Sequence, residues 1–275
     1  MYKLVEGGNL NNMKEFKELP VWHIKAKDNG TCCIGYNFER AIDNYKKIIT
    51  WLENIKASGC KGVVLGLSGG KDSTVVAMLS KLVWGVNVRA LIMPNHSNTD
   101  TGEAIQISNI LELDTILFPI NEIYDLYSKP NYGYNEKALS NVAPRLRMTL
   151  LYLEAQDLGR RVIGTGNRSE RYIGWCTKHG DMACDFNPIA HLTCSEVIEL
   201  GFLLADIFNL PYEYIQKPPA DGITGKTDED NFGFTYKQLD TYLLEGSSGD
   251  PAIDEKIGKM HEAALHKLTM PAIIE

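Results

Sequence analysis

Gly66-Leu67-Ser68-Gly69-Gly70-Lys71-Asp72-Ser73 is the stretch on which the fold turns. It follows Lys61–Leu67, a short β-branched run that reads as a strand. It leads into Ser73–Trp84, where Val76, Leu79, Leu82 and Val83 recur at helical spacing. Glycines between a strand and a helix let the backbone approach an anion, and the helix start favours phosphate there. Ser68 and Ser73 offer hydroxyl donors. The loop is no Walker A motif, because Asp72 follows Lys71 and Leu65 holds the first-glycine position. The dinucleotide fingerprint fails here and again at Gly164-Thr165-Gly166, which lacks the third glycine. Asp72 is the informative residue. A carboxylate beside a polyphosphate is repelled unless a cation lies between them, so the loop implies Mg²⁺.

Outward from this loop the pattern alternates. Asn87–Met93 reads as a strand stopped at Pro94, Thr101–Leu113 as a helix, and Asp114–Phe118 as a strand. Arg145–Leu158 reads as a helix and Arg161–Gly164 as a fourth strand. Such alternation predicts an α/β fold: a doubly wound, Rossmann-like parallel sheet with helices on both faces and ligands beyond the strand ends. Glu39–Ala57 is a helix closed by Ser58-Gly59. A capping box of Thr193 and Glu196 opens Thr193–Phe208, and Thr235–Glu245 and Ile253–Leu268 finish the chain. Lys217–Phe234 has little periodicity, as expected of a lid or binding loop. Residues 1–38 read as an irregular N-terminal arm and 39–275 as one domain that includes the C-terminal helices.

The 275 residues are 44% hydrophobic and 23% charged, too apolar for disorder. The net charge of −7 and pI near 5.5 argue against generic nucleic-acid binding, which needs a basic stripe. Met1–Lys25 has no continuous apolar block, and the richest stretch, Gly201–Leu210, is broken by Asp206 and Asn209, so no membrane span is expected. Six cysteines in a chain this long do not suggest a disulfide framework. A cytoplasmic protein acting on small molecules is the expectation.

Ser68-Gly69-Gly70-Lys71-Asp72-Ser73 resembles the SGGxDS loop of the N-type ATP pyrophosphatases, whose fold is that of the adenine nucleotide alpha-hydrolases. The matches continue with Asn141-Val142-Ala143-Pro144-Arg145-Leu146-Arg147-Met148, Gly164-Thr165-Gly166-Asn167-Arg168-Ser169-Glu170 and Thr177-Lys178-His179-Gly180-Asp181. Asp185-Phe186-Asn187-Pro188, Ala220-Asp221-Gly222, Gly225-Lys226-Thr227-Asp228-Glu229-Asp230 and His266-Lys267 ahead of Pro271 complete the set. From about Glu39 to Ala272 the chain is similar to the synthetase domain of the NAD synthetases.

That resemblance implies a ligase forming a C–N bond. ATP activates the nicotinate carboxylate of deamido-NAD as an acyl-adenylate and releases pyrophosphate; ammonia then displaces AMP to give NAD. No protein nucleophile is implied, only alignment, charge stabilisation and exclusion of water. By resemblance Gly66, Leu67, Ser68, Gly69, Gly70, Lys71, Asp72, Ser73 and Thr165 hold ATP, with Cys194 and Pro219 at further ATP positions. Asp72 and Glu170 hold Mg²⁺. Arg145, Lys178, Asp185, His266 and Lys267 line the deamido-NAD site, with Lys178 and Asp185 nearest the reacting centre. The resemblance also implies a homodimer. No room exists for a glutaminase domain ahead of Glu39, so ammonia is expected free or from a separate glutaminase.

Three positions depart from the family pattern. Cys194 stands where a lysine is common, Pro219 where a Ser or Thr is common, and Leu268 where an arginine is usual. Lys71, at the variable position of the loop, could return some of the lost charge. Two alternatives stay open at this point: another adenylating amide- or thio-transferase on the same loop, or a non-catalytic nucleotide-binding module. Cys176, His179, Cys184, His191 and Cys194 have zinc-like spacing, but Lys178, Asp181 and Asp185 interleave with them, and buried thiols with hydrogen-bonded imidazoles are the commoner outcome.

Overall fold

Four parallel strands stand side by side in the order β3-β2-β1-β4: β1 (Val63–Gly66), β2 (Val88–Ile92), β3 (Asp114–Leu117) and β4 (Arg161–Val162). The computed structural model describes residues 37–96, 100–129, 132–216, 227–269 and 273–274. Val63 is in register with Val88 on one side and Arg161 on the other. Val63, Val64 and Leu65 are fully buried, as a strand covered on both faces must be. Strand order reverses between β1 and β4, and their carboxyl ends therefore flank a crevice not filled by a crossing helix.

Helices cover both faces, as the alternating pattern predicts. On one, α2 (Lys71–Trp84) packs against β1, β2, α1 (Phe38–Ala57) and α8 (Cys194–Phe208). On the other, Ala143 and Ala155 of α6 (Val142–Leu158) join Val64, Leu91, Met93 and Val162 in one apolar cluster. Alternate residues of β1 supply the two layers. α8 is buried along most of its length, and the predicted Thr193–Glu196 capping box is present at its start. Its Glu199 meets Arg40 of α1 at 2.6 Å, with the two side chains 2% and 26% exposed.

Several boundaries differ from the sequence reading. α2 begins at Lys71 rather than Ser73, because extended Gly70 serves as its N-cap and leaves Lys71 and Asp72 in the first turn. α6 begins at Val142 rather than Arg145; Pro144 is tolerated because first-turn N–H groups have no partner within a helix. β4 is regular only over Arg161–Val162, with Ile163 bridged to Phe186. α12 (Pro251–Leu268) starts at a proline behind the Asp250 cap. The helices α4 (Asn121–Tyr127), α5 (Glu136–Ser140), α7 (Arg168–Tyr172), α9 (Glu213–Gln216) and α10 (Asp228–Phe232) are too short to show a hydrophobic period. α3 (Asp100–Ile110) and α11 (Tyr236–Glu245) lie close to their expected ranges. All but the end of the N-terminal arm (1–36), and 217–226 of the expected lid, lie outside the described residues.

Candidate active site

The loop between β1 and α2 braces itself. Ser73 Oγ lies 3.0 Å from Ser68 Oγ and donates to the Gly70 carbonyl, while Ser68 N donates to Ser73 Oγ at 3.2 Å. The two serines thus fix the loop's shape. Gly69 is required: its φ is +86°, and a Cβ there would stand 2.8 Å from the carbonyl oxygen of Asp100 at the start of α3.

The loop after β4 supplies the second half. Asn167 caps α7 and forms a capping box with Glu170, its Oδ1 accepting from the Glu170 N–H at 3.0 Å. The same amide donates from Nδ2 to Asp72 Oδ1 at 3.1 Å. Fully buried Asn167 thereby ties the two loops together and sets Asp72 beside Glu170. Lys71 completes the cluster, donating to Asp72 Oδ2 at 2.6 Å with its side chain 2% exposed.

Burial, and then the like charge of Asp72, hold the Glu170 carboxyl well above the usual carboxylate range; Lys71 pulls the other way. Two hard-oxygen carboxylates brought together from two loops make an arrangement that a divalent cation relieves, and the donor type suits Mg²⁺. Among the described residues no group of three or more His, Cys, Asp or Glu side chains gathers as a metal cage. Phosphate and water oxygens would have to supply the remaining ligands.

The crevice opens into a cavity of about 720 Å³. Gly66, Gly70, Lys71 and Asp72 form one wall, and Gly164, Thr165 and Glu170 another. A side lobe of about 180 Å³ is lined by Ser68, Gly70, Asp72, Ser73, Thr165 and Glu170 among others. Leu67 also lines the main cavity, whereas Gly69 turns its back to it against α3. Arg147 lines the main cavity and is anchored by Nε to the Met93 carbonyl at 3.0 Å. Burial lowers its pKa, offset in part by Asp181. Asp181 and Asp228 line the cavity as well. Asn167, Arg147 and Asp228 are the site residues to which sequence reading gave no role, whereas Asp181, matched to the substrate site with Lys178 and Asp185, does line the cavity. The i, i+2 step from Arg145 to Arg147 was visible but did not say which guanidinium faces inward.

Of the expected deamido-NAD residues, Arg145, Lys178 and His266 are linked by hydrogen bonds. Arg145 is exposed, with Nη2 3.4 Å from the Lys178 carbonyl, and Lys178 Nζ donates to the His266 carbonyl at 2.5 Å. Lys267 Nζ donates to the carbonyls of Gly174 and Cys176 at 2.7 and 2.8 Å. Asp185 accepts from the Val162 N–H at 2.7 Å, at the end of β4. None of these five lines the 720 Å³ cavity. Cys194 is fully buried, its N–H donating to Ser169 Oγ at 2.9 Å. Pro219 lies outside the described residues. Burial pushes the Cys176 thiol up to about 11 and raises that of Cys184; it lowers His191.

A family model described as NAD synthase matches residues 44–271. The NH₃-dependent NAD⁺ synthetase of Carboxydothermus hydrogenoformans is 39% identical over 236 residues, 83% of this chain and 95% of that protein. That of Archaeoglobus fulgidus is 37% identical over 245 residues, covering 86% and 97%. Among solved structures, the NMN synthetase of Francisella tularensis superposes with a TM-score of 0.77 at 32% identity, covering 85% of this chain and 98% of that one. The NH₃-dependent NAD synthetase of Campylobacter jejuni, in complex with nitrate, gives 0.69 at 33%, covering 86% and 99%. The braced glycine loop and the paired Asp72 and Glu170 thus sit in a chain whose match runs through nearly all of its sheet: it belongs to the NAD synthase family.

Proposed function

We propose that this chain is an ammonia-dependent NAD synthetase: ATP, deamido-NAD and ammonia give NAD, AMP and pyrophosphate. One observation carries the reading. Asn167 joins the phosphate-type loop to the Glu170 loop at the β1/β4 crevice, where a 720 Å³ cavity opens. In the mechanism, first-turn N–H groups of α2 and the loop backbone receive the ATP phosphates. Thr165 and Arg147 flank the same cavity and supply a hydroxyl and a fixed positive charge for the α-phosphate region. Mg²⁺, when held by Asp72 and Glu170, supplies the charge that lets these carboxylates stand next to a polyphosphate. Ala143, Leu151 and Val162 wall the cavity with apolar surface, which limits water at a mixed anhydride.

Deamido-NAD is carried by Arg145, Lys178, Asp185, His266 and Lys267. Support comes from the contacts linking Arg145 to Lys178 and Lys178 to the end of α12. Residues 217–230 act as the lid; Asp228, at the described end of that segment, lines the ATP cavity. The protein works as a cytoplasmic homodimer on free ammonia or ammonia from a separate glutaminase. Leu117, Phe118, Leu126 and Tyr127 are exposed apolar side chains on edge strand β3 and in the segment that follows it, and support a second copy covering that edge. No described helix is long and apolar enough to cross a membrane.

The assay is pyrophosphate release from ATP with deamido-NAD, with and without ammonium. NAD formation dependent on both supports the reading, and turnover without deamido-NAD overturns it. Light scattering that gives a monomer mass would remove the dimer. A second reading, amidation at the mononucleotide level, is favoured by the higher TM-score with the NMN synthetase. Higher kcat/KM with nicotinate mononucleotide than with deamido-NAD would select it.

A further inference from the structure

We infer that Lys71 is a built-in counter-ion of the Asp72–Glu170 pair, its ammonium standing where a divalent cation's charge would stand, so that an entering cation has to displace it. The inference rests on the metal reading of that pair. Both oxygens of Asp72 are engaged: Oδ2 by Lys71 Nζ at 2.6 Å, Oδ1 by Asn167 Nδ2 at 3.1 Å. Asn167 cannot yield easily, being fully buried and committed to the capping box of α7. Lys71 reaches Asp72 on a long flexible stem, so it is the partner that can leave.

Position 71 leaves the ammonium in need of opposite charge, which Asp72 supplies by contact and Asp240 through its field. It lies in the first turn of α2, where the helix dipole disfavours a cation, and its side chain is 2% exposed. A buried lysine keeps its charge only beside opposite charge. The Tyr236 ring, with its centroid 5.8 Å from Nζ, adds a cation–π contact. Metal entry thus exchanges one cation for another rather than charging an empty site, and the released ammonium is left beside the phosphate loop.

Manganese stands in for magnesium in the test. Free Mn²⁺ is titrated by electron paramagnetic resonance against the full chain without nucleotide, for wild type, K71M, K71R, D72N and K71M/D72N. K71M is expected to bind Mn²⁺ at least about tenfold more tightly than wild type, because a repelling charge within contact distance is gone. K71R is expected within about twofold of wild type, and both D72N chains should lose the site. K81M, which removes the same charge from the far end of α2, should change nothing. Equal or weaker binding by K71M overturns the counter-ion but leaves the metal site standing if wild type binds. Absence of Mn²⁺ binding in both wild type and K71M overturns the metal reading and the inference together. Persistent binding in K71M/D72N puts the cation elsewhere and also overturns it. Circular dichroism confirms folding, and K71Q replaces K71M if the latter does not fold.

Discussion

Asn167 and Asp72, 95 positions apart in sequence, are joined by a 3.1 Å hydrogen bond from Nδ2 to Oδ1. The same amide caps the helix that carries Glu170, so one fully buried side chain sets the spacing of both carboxylates. Asn167→Ala removes the cap and the bridge together. The expected cost is about 1–3 kcal/mol in stability. Activity should fall roughly 10–100-fold, as is typical when an outer-shell partner of a metal ligand is lost. Thermal melts and a Mg²⁺ titration of turnover check this; an unchanged Mg²⁺ requirement would remove Asn167 from its positioning role.

Gly69→Ala should destabilise the protein by more than the left-handed backbone alone explains. A non-glycine residue at φ +86° costs about 1–2 kcal/mol. In addition the new Cβ would press on the Asp100 carbonyl at 2.8 Å, which is backbone and cannot swing away. A lower Tm with weakened ATP binding is expected. A wild-type Tm would mean that the loop relaxes freely.

Arg40→Ala strands Glu199, which is 2% exposed and accepts from both the Arg40 guanidinium and the Asn37 N–H. Breaking a nearly buried pair costs about 3–5 kcal/mol. Burial already raises the Glu199 pKa even with Arg40 opposing it. A carboxyl whose folded pKa exceeds its unfolded value favours the protonated native state, so stability falls as pH rises through that interval. The variant should therefore lie nearest wild type in mild acid and furthest from it above neutrality. Urea denaturation across pH tests the sign, and a gap that widens on acidification would contradict it.

Cys176 should resist alkylation at about pH 8. With its thiol pushed up to about 11 by burial, the thiolate fraction there is roughly a hundredfold below that of an ordinary exposed cysteine. Peptide mapping after timed iodoacetamide treatment should show Cys176 labelled slowly, with the rate climbing towards alkaline pH. Fast labelling at neutral pH would show that the site opens.

Much of the sheet was legible because its signals are local. Val63–Leu65 is an unbroken aliphatic run and Val88–Ile92 one interrupted only by Arg89, and the Thr193–Glu196 box announces α8 within four residues. Short helices escaped, since α7 spans five residues and shows no period; yet its cap is Asn167, on which the site depends. Cavity-facing Arg147 and exposed Arg145 look alike in sequence because direction on a helix is set by what the helix packs against.

The sequence by itself determined the alternation of strands and helices, the glycine loop, and the family to which its ordered motifs belong. Each rests on residue type and short-range spacing, which chain connectivity preserves. Only the tertiary structure decided that Lys71 turns inward onto Asp72, that Asn167 joins two distant loops, and that Cys194 lies buried against Ser169. Those outcomes follow from parallel pairing of β1 with β4, which brings together segments about a hundred residues apart, and from burial, which forces every charge so enclosed to find a partner.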